Sequence, residues 1–521
     1  MSRISNIRRL SWLGIFSLLV TLVLSACGDA TNTTAPATTA PAATTAAATT
    51  AAATTAATAT TAAATTAAGT SAAATTSAAT SAAATTAAAT SAAATTAAGT
   101  TAAGTTEAAA TLPANYNKMN TSVKGTVRFG TWEGGDTITQ INQVIDAFKK
   151  VYPNVDVKLE AVPTDYGTKL QNQIAAGNAP DVFQIGDGDA RLFVDKGGAE
   201  DLTPYITGQY GLDQSIYYEN VLNIGKVDGK LYYMPKDWTG MGVYYNKKLF
   251  ADAGITAPAN GDWTWDQFRD MAKKLTKADQ EQWGAMYFDQ INHRDIYPIL
   301  LANGADFLSQ DGTKIQGILD SDAAIKSFNF PNQMIYTDKS MPDLKYVKSN
   351  GGTDLFNNGK VGMEIFAYWS MADYLGAKPL DFDWGTLPLP HMTGKAPTNV
   401  IYWAGLAMNK KSQNKDAAWE FLKFLSGPEA GRIRGQFSIK AVAQELIAKE
   451  PRYAPFTSIA AQYFTPLPEL RTRFFNDTIG KYLDKGLEDA QLADTQDFTQ
   501  VVKQAAADSQ KELDRLRAQG S

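Results

Sequence analysis

The sequence contains very little cysteine and histidine. It has one cysteine, Cys27, and two histidines, His293 and His391, among 521 residues. A single cysteine cannot form a disulfide within one chain, and a zinc site built from cysteine and histidine is almost excluded. The two histidines are far apart in the chain, and neither stands in an HExxH pattern. We therefore predict that the protein carries no metal ion or other cofactor.

Several signatures of catalysis and nucleotide binding are also missing. The sequence has no P-loop, no GxGxxG turn and no GxSxG elbow. Acidic and basic residues are mixed along the chain, with 47 Lys and Arg against 52 Asp and Glu. Nucleic-acid binding would call for clustered basic residues, so nothing here indicates it. The remaining candidates for catalysis are paired carboxylates of the kind a glycosidase uses, at Glu133 with Asp136 and at Asp187 with Asp189.

The first residues have the features of a secretion signal. Basic residues precede an apolar run over residues 10–23, which is too short to span a bilayer comfortably. The run ends at Leu24-Ser25-Ala26-Cys27, which resembles the bacterial lipobox. We predict a signal peptide over residues 1–26 and lipidation of Cys27, which would anchor the protein to the outer face of the cytoplasmic membrane. That compartment is either a periplasm or the cell surface. The alternative is an ordinary secretory signal with an incidental cysteine.

Residues 27–112 form a second compositional block. After the cysteine they are almost entirely alanine and threonine, with no aromatic residue and no apolar periodicity. Such a segment cannot bury enough apolar surface to fold, so we predict a disordered linker.

Past the linker, the pattern changes to alternating strands and helices. The segments are a strand at 125–131, a helix at 138–152, a strand at 155–159, a helix at 166–176 and a strand at 181–185. This β-α-β-α-β order predicts a parallel sheet with right-handed crossovers. Ligands bind at the carboxyl ends of such strands. The loops at 132–136 and 186–189 are therefore candidate binding loops.

Several short motifs in the remaining chain carry a family resemblance. They are Tyr245-Asn246-Lys247 with Phe250 and Ala253-Gly254-Ile255; Phe356 with Gly359, Lys360, Gly362 and Met363; and Ala417, Ala418 and Glu420 to Leu425. In this order they resemble family 1 extracellular solute-binding proteins of ABC transporters, and the resemblance covers nearly all of residues 122–520. It implies an α/β, two-lobed, periplasmic-binding-protein-like fold of type II, in which each lobe is a mostly parallel sheet flanked by helices.

The resemblance also implies the lobe boundaries. We expect a first lobe from 122–237 and 388–428, and a second lobe from 247–383 and 432–520. Hinge crossings are expected near 237–246 and 383–390, with a further exchange near 427–434.

The candidate ligand-binding residues are aromatic and acidic. A sugar ring offers an apolar face and an equator of hydroxyls, and tryptophan offers a flat apolar surface with an N–H at its edge. Four tryptophans lie at predicted strand ends or crossings, where the resemblance places binding residues: Trp132, Trp238, Trp369 and Trp403. The candidate hydroxyl acceptors are Asp136, Asp187 and Asp189, with Asp237 also considered and Arg294 a weaker candidate. Each tryptophan could instead be a packing residue, and each aspartate a loop cap or a solvated charge.

We therefore predict a monomeric protein that is not an enzyme and that delivers a carbohydrate to the permease of an ABC importer. The alternatives are a secreted glycoside hydrolase, a stalked adhesin or scaffold, and a binding protein for another polar solute such as a polyol. A phosphate-bearing solute is less favoured, because few Lys or Arg lie in the predicted mouth.

Overall fold

A computed structural model describes residues 110–259, 261–287, 291–350, 352, 354–377, 379–457 and 464–520. The predicted signal peptide, Cys27 and nearly all of the predicted linker lie outside these residues. Leu112, the last residue of that linker, packs against the core of the first lobe. Within the described ranges, no helix combines the length and the apolar character needed to cross a membrane.

The strands alternate with helices along most of the chain. The strands are β1 (Gly125–Thr131), β2 (Val155–Ala161), β3 (Val182–Gly186), β4 (Lys226–Val227), β5 (Lys230–Leu231), β6 (Tyr233–Thr239), β7 (Met241–Asn246), β8 (Trp283–Tyr287), β9 (Val361–Ala367), β10 (Trp384–Pro388), β11 (Asn399–Met408) and β12 (Phe464–Pro466).

The helices range from single turns to the long C-terminal helix. They are α1 (Asp136–Val151), α2 (Tyr166–Ala176), α3 (Ala190–Asp195), α4 (Thr203–Thr207), α5 (Glu219–Ile224), α6 (Lys247–Asp252), α7 (Trp265–Leu275), α8 (His293–Ala302), α9 (Asp322–Tyr336), α10 (Leu344–Ser349), α11 (Asp354–Asn357), α12 (Ser370–Ala372), α13 (Lys415–Leu425), α14 (Pro428–Arg434), α15 (Lys440–Lys449), α16 (Ala454–Thr457), α17 (Lys485–Leu492) and α18 (Thr499–Gly520). A π-helix, Asn476–Asp484, precedes α17.

The first lobe is built on a six-stranded sheet. Five strands follow the order β12-β11-β3-β1-β2, and the sixth, β6, pairs with β11 on the side away from β3. Strand β1 is parallel to both β2 and β3, as the β-α-β-α-β pattern predicts. Apolar side chains pack on both faces of this sheet, because neighbouring residues such as Val182 and Phe183 point into different cores. The loops after β1 and β3 consequently meet at one edge of the sheet.

The second lobe is built on a four-stranded sheet in the order β10-β7-β9-β8. The two-lobed α/β prediction is confirmed, but the expectation of a mostly parallel sheet is wrong for this lobe. Only β8 and β9 are parallel in this sheet, whereas β7 is antiparallel to both β9 and β10. The reason is the direction of entry: β7 arrives directly from the first lobe, and its two neighbours run back toward that lobe.

The chain passes between the lobes several times in the described residues. The first passage is at Gly240, between β6 of the first sheet and β7 of the second. The second joins β10 to β11. The third differs from the predicted exchange near 427–434: helix α14 contacts α1, and Ile439 and Val442 lie in a core of the first lobe. The chain instead returns to the second lobe near α16, whose Phe456 joins that lobe's core, and β12 then pairs with β11 of the first sheet.

Candidate binding cleft

A cleft of about 900 Å³ separates the two lobes, within the range of roughly 300–1,000 Å³ typical of small-molecule sites. From the first lobe and the adjoining crossing it is lined by Trp132, Glu133, Tyr166, Asp187, Asp189, Lys236, Asp237, Trp238, Trp403, Arg434 and Gln436. From the second lobe it is lined by Arg294, Tyr368, Trp369 and Asn476.

Trp369 follows β9 and is the most open aromatic residue in the cleft. It retains 48% of its surface. Phe366 and Tyr402 meet its ring in T-shaped contacts, with centroids at 5.2 Å and 6.2 Å. The two neighbours fix the ring without covering it, so a flat apolar surface faces the cleft.

Trp132 lies on the opposite wall, at the end of β1. It is half-buried. Tyr166 makes a T-shaped contact with its ring at 5.7 Å, and the Lys236 ammonium stands 5.7 Å from the ring centre. The cation lies within range of a cation–π attraction, which helps to hold the ring in place.

Trp238 and Trp403 border the cleft but are almost fully buried, at 1% and 4% exposure. The Trp238 indole N–H donates to the Phe437 carbonyl at 3.0 Å. Its satisfied N–H and its burial match the packing alternative considered for it, and its role in the site stays a prediction. The Trp403 indole N–H has no partner among the described residues. Its ring lies over Gly405, where a Cβ atom would overlap it.

The three predicted aspartates have different surroundings. Asp136 is exposed on the first turn of α1 and is not part of the cleft lining. Asp189 is half-buried in the cleft, and no described group donates a hydrogen bond to its carboxylate. Burial, with the charge of Asp187 in addition, raises the pKa of Asp189. An unpaired, partly desolvated carboxylate is suited to accept hydrogen bonds from a ligand.

Asp187 is 5% exposed and fully engaged by the protein. Its Oδ1 accepts from the Gly188 N–H at 2.9 Å and from Arg294 Nη2 at 2.8 Å, and its Oδ2 accepts from the Trp403 N–H at 3.3 Å. Burial raises the pKa of Asp187, and the Arg294 charge opposes that shift.

A buried ionic cluster at the cleft wall was missed by sequence reasoning. Glu133 Oε1 accepts from Lys236 Nζ at 2.5 Å and from Arg434 Nη2 at 3.1 Å, and Gln184 Nε2 adds a third donor at 3.3 Å. Burial raises the pKa of Glu133, but the two cations outweigh it and bring the pKa to about 2. Burial, aided by Arg434, lowers the pKa of Lys236 to about 8 against the pull of Glu133.

A second missed contact joins the lobes beside the crossing. The Tyr368 hydroxyl, just past β9, donates to Asp237 Oδ2, and the backbone N–H groups of Trp238 and Phe437 donate to Asp237 Oδ1. Burial raises the pKa of Asp237 to about 6.

Part of this cluster had a signal in the sequence. Glu133 sits in a predicted binding loop, and Lys236 and Asp237 flank the predicted site tryptophan Trp238. Arg434 had none, because the predicted boundary placed it in the other lobe. The expectation of few cations in the mouth is also wrong, since Lys236, Arg294 and Arg434 all line it. Each of them faces a carboxylate, which leaves little free positive charge.

Comparisons with known proteins agree with this architecture. The family described as bacterial extracellular solute-binding protein matches residues 134–432. A binding protein of Brucella abortus (strain 2308) is 28% identical over 287 residues, covering 54% of this chain and 67% of that protein. The diacetylchitobiose binding protein DasA of Streptomyces coelicolor is 29% identical over 259 residues, covering 49% of this chain and 58% of that protein.

The solved structures add a likeness in fold. The Listeria monocytogenes ABC substrate-binding protein Lmo0181, in complex with cycloalternan, superposes with a TM-score of 0.66 at 24% identity, covering 76% of this chain and 99% of that one.

Proposed function

Because the chain belongs to the family of bacterial extracellular solute-binding proteins, we propose that it binds a carbohydrate between its lobes and delivers it to an ABC importer. Ligand would hold the lobes together, and the closed surface would dock the permease. The proposal includes lipid anchoring through Cys27, the linker at 27–112 as a spacer, and a monomeric state.

The observation that carries the proposal is Trp369 in the cleft. Its half-exposed ring, fixed from two sides, offers a platform for the apolar face of a sugar. Asp189, on the opposite wall, supplies an unpaired acceptor for hydroxyl groups. The relative from Streptomyces coelicolor is named for binding diacetylchitobiose, which favours a short oligosaccharide as the ligand.

The enzyme alternative receives no comparable support. A glycosidase needs two carboxyl groups at the scissile bond, one of them protonated at working pH. Of the two predicted pairs, Asp136 is not part of the cleft lining and Asp187 is held by Arg294, so Asp189 has no free carboxylate partner. Glu133 is instead held ionised by two cations, with a pKa of about 2. Asp237, whose pKa is about 6, is tied to Tyr368 and to two backbone N–H groups. We therefore propose binding without turnover.

The test is a sugar screen on the full chain. Diacetylchitobiose, maltotriose and monosaccharides would be added in a thermal-shift assay and in isothermal titration calorimetry. A ligand at a hundred times its dissociation constant should add about 2.7 kcal/mol to the free energy of unfolding. No thermal shift and no binding heat with any of these sugars would overturn the carbohydrate assignment, and release of shorter sugars during incubation would favour the hydrolase.

A further inference from the structure

We propose that Arg294 and Asp187 form a latch between the lobes, which stabilises the closed form through the chain's own side chains. The latch joins α8 of the second lobe to the turn after β3 of the first. Arg294 Nη2 donates to Asp187 Oδ1 at 2.8 Å.

Asp187 is held in position by groups of the first lobe, independently of Arg294. The Gly188 and Trp403 N–H groups both donate to its carboxylate. A carboxylate that is buried and fixed in this way loses little side-chain entropy when an arginine meets it.

Arg294 is also held in place, by Tyr402 on β11 of the first sheet and by acidic groups near its own helix. Its carbonyl accepts from the Tyr402 hydroxyl at 2.8 Å, and its guanidinium stands 5.7 Å from the centre of that ring. Glu469 Oε1 lies 3.7 Å from Arg294 Nη2. The preceding residue, His293, contacts Asp484 Oδ2 at 2.6 Å and Glu469 Oε1 at 3.3 Å. Both partners of the latch are thus preorganised, which separates it from a mobile surface ion pair.

Other contacts between the lobes are less suited to this role. Tyr368 and Asp237 meet beside Gly240, where the chain crosses, so hinge motion displaces them little. Arg473 approaches Asp195 only to 3.6 Å, and Asp195 already pairs with Arg191. The Arg294–Asp187 pair combines a short charged hydrogen bond with a place in the cleft between the lobes.

The latch affects the fraction of molecules that are in the form able to bind ligand. Apparent affinity falls in proportion to the fraction of molecules in the competent form. A latch made of protein groups raises the closed fraction whether or not the cleft is filled. Its effect on carbohydrate affinity rests on the proposed function, whereas the latch itself does not.

The test measures a distance across the cleft without any sugar. Spin labels would be placed at the exposed residues Lys169 on α2 and Asp373 just past α12, in a full chain carrying Cys27→Ser, and their separation measured by double electron–electron resonance. The parent should show a short-distance population. Arg294→Gln and Asp187→Asn should each lower the closed-to-open ratio about tenfold. The effect is no larger because Arg294 is partly exposed, and water weakens the free energy of a charged hydrogen bond. The double variant should resemble either single variant.

The control removes a similar ion pair away from the cleft. Arg269→Gln breaks the Arg269–Asp338 pair inside the second lobe and should leave the distance distribution unchanged. The latch is overturned if the parent lacks the short population, if either latch variant keeps the parent's distribution, or if Arg269→Gln shifts it equally. None of these outcomes depends on the sugar screen, so failure of the latch and failure of the carbohydrate assignment are separable.

Discussion

The side chain of Asn399 and the backbone of Met241 exchange two hydrogen bonds where β7 leaves the first lobe. Asn399 Oδ1 accepts from the Met241 N–H at 2.9 Å, and Asn399 Nδ2 donates to the Met241 carbonyl at 2.8 Å. The asparagine is 2% exposed and stands at the start of β11. It therefore joins the strand that returns to the first lobe to the strand that leaves it.

Asn399→Ala should destabilise the protein at this crossing. The variant leaves the Met241 N–H and carbonyl buried without partners, and we expect a loss of about 2–4 kcal/mol in the free energy of unfolding. Urea denaturation measures it. Asn350→Ala, at an exposed site with one hydrogen bond to Tyr346, serves as the control and should stay within about 0.5 kcal/mol of the parent. Equal losses in the two variants would contradict the role given to Asn399.

Trp369→Ala should weaken sugar binding and leave the fold intact. Loss of a stacking platform at the centre of a site should cost about 1.4–3 kcal/mol, a tenfold or greater rise in the dissociation constant. Calorimetry with the sugar found in the screen measures it. Trp238→Ala is the contrasting variant: because its ring is buried, it should lose about 3–5 kcal/mol of folding stability. An unchanged dissociation constant for Trp369→Ala would show that the ring does not serve as a binding platform for the sugar.

Lys423→Met should be severely destabilising, because it leaves a carboxylate buried without its cation. The Lys423 and Glu420 side chains are 0% and 1% exposed and meet at 3.0 Å. Lys423 Nζ also donates to the carbonyls of Lys118 and Tyr210, both at 2.9 Å. Removing one partner of a buried ion pair lowers the free energy of unfolding by about 3–5 kcal/mol. The double variant Glu420→Gln/Lys423→Met should recover part of that loss in thermal unfolding, and failure to recover would show that Glu420 is not the cause.

His293 should make stability depend on pH in the alkaline range. Burial alone would lower its pKa, but hydrogen bonds with Asp484 and Glu469 outweigh burial and raise the pKa to about 9. The rings of Phe475 and Phe307 also face the imidazole, at 5.2 Å and 6.3 Å. Because the folded pKa lies above the unfolded value of about 6.5, the contribution is fully present below pH 6.5 and is lost as pH rises through about 9. Its size is about 3 kcal/mol.

The measurement is the free energy of unfolding between pH 6 and pH 10 in the parent and in His293→Gln. Lys236 acts in the opposite direction, because its pKa is lowered to about 8. The difference between the two profiles isolates His293, since Lys236 is common to both. Parallel profiles across this range would contradict the assignment.

Sequence reasoning was most successful where the relevant signal is local. The first three strands and the two helices between them follow from apolar periodicity in short windows, and the loops after β1 and β3 indeed border the cleft. Thr264, a residue type that favours the cap position, directly precedes α7 and forms a capping box with Gln267. These features depend on neighbours a few residues away.

The site was harder to predict because its groups meet only after the chain folds. Glu133, Lys236 and Arg434 come from three distant segments, and each looks like an ordinary solvated charge in its own segment. Burial separates the four tryptophans: Trp238 and Trp369 look alike at their strand ends, yet one is packed away and the other open. The strand directions of the second sheet depend on where the chain crosses, which no local pattern encodes.

The contact between Trp403 and Gly405 limits how this protein can change its specificity. Any side chain at position 405 would overlap the indole ring of Trp403 and displace it within the cleft lining. New ligand preferences, whether from natural drift or from laboratory redesign, should therefore arise more readily from substitutions near Trp369, whose ring is 48% exposed.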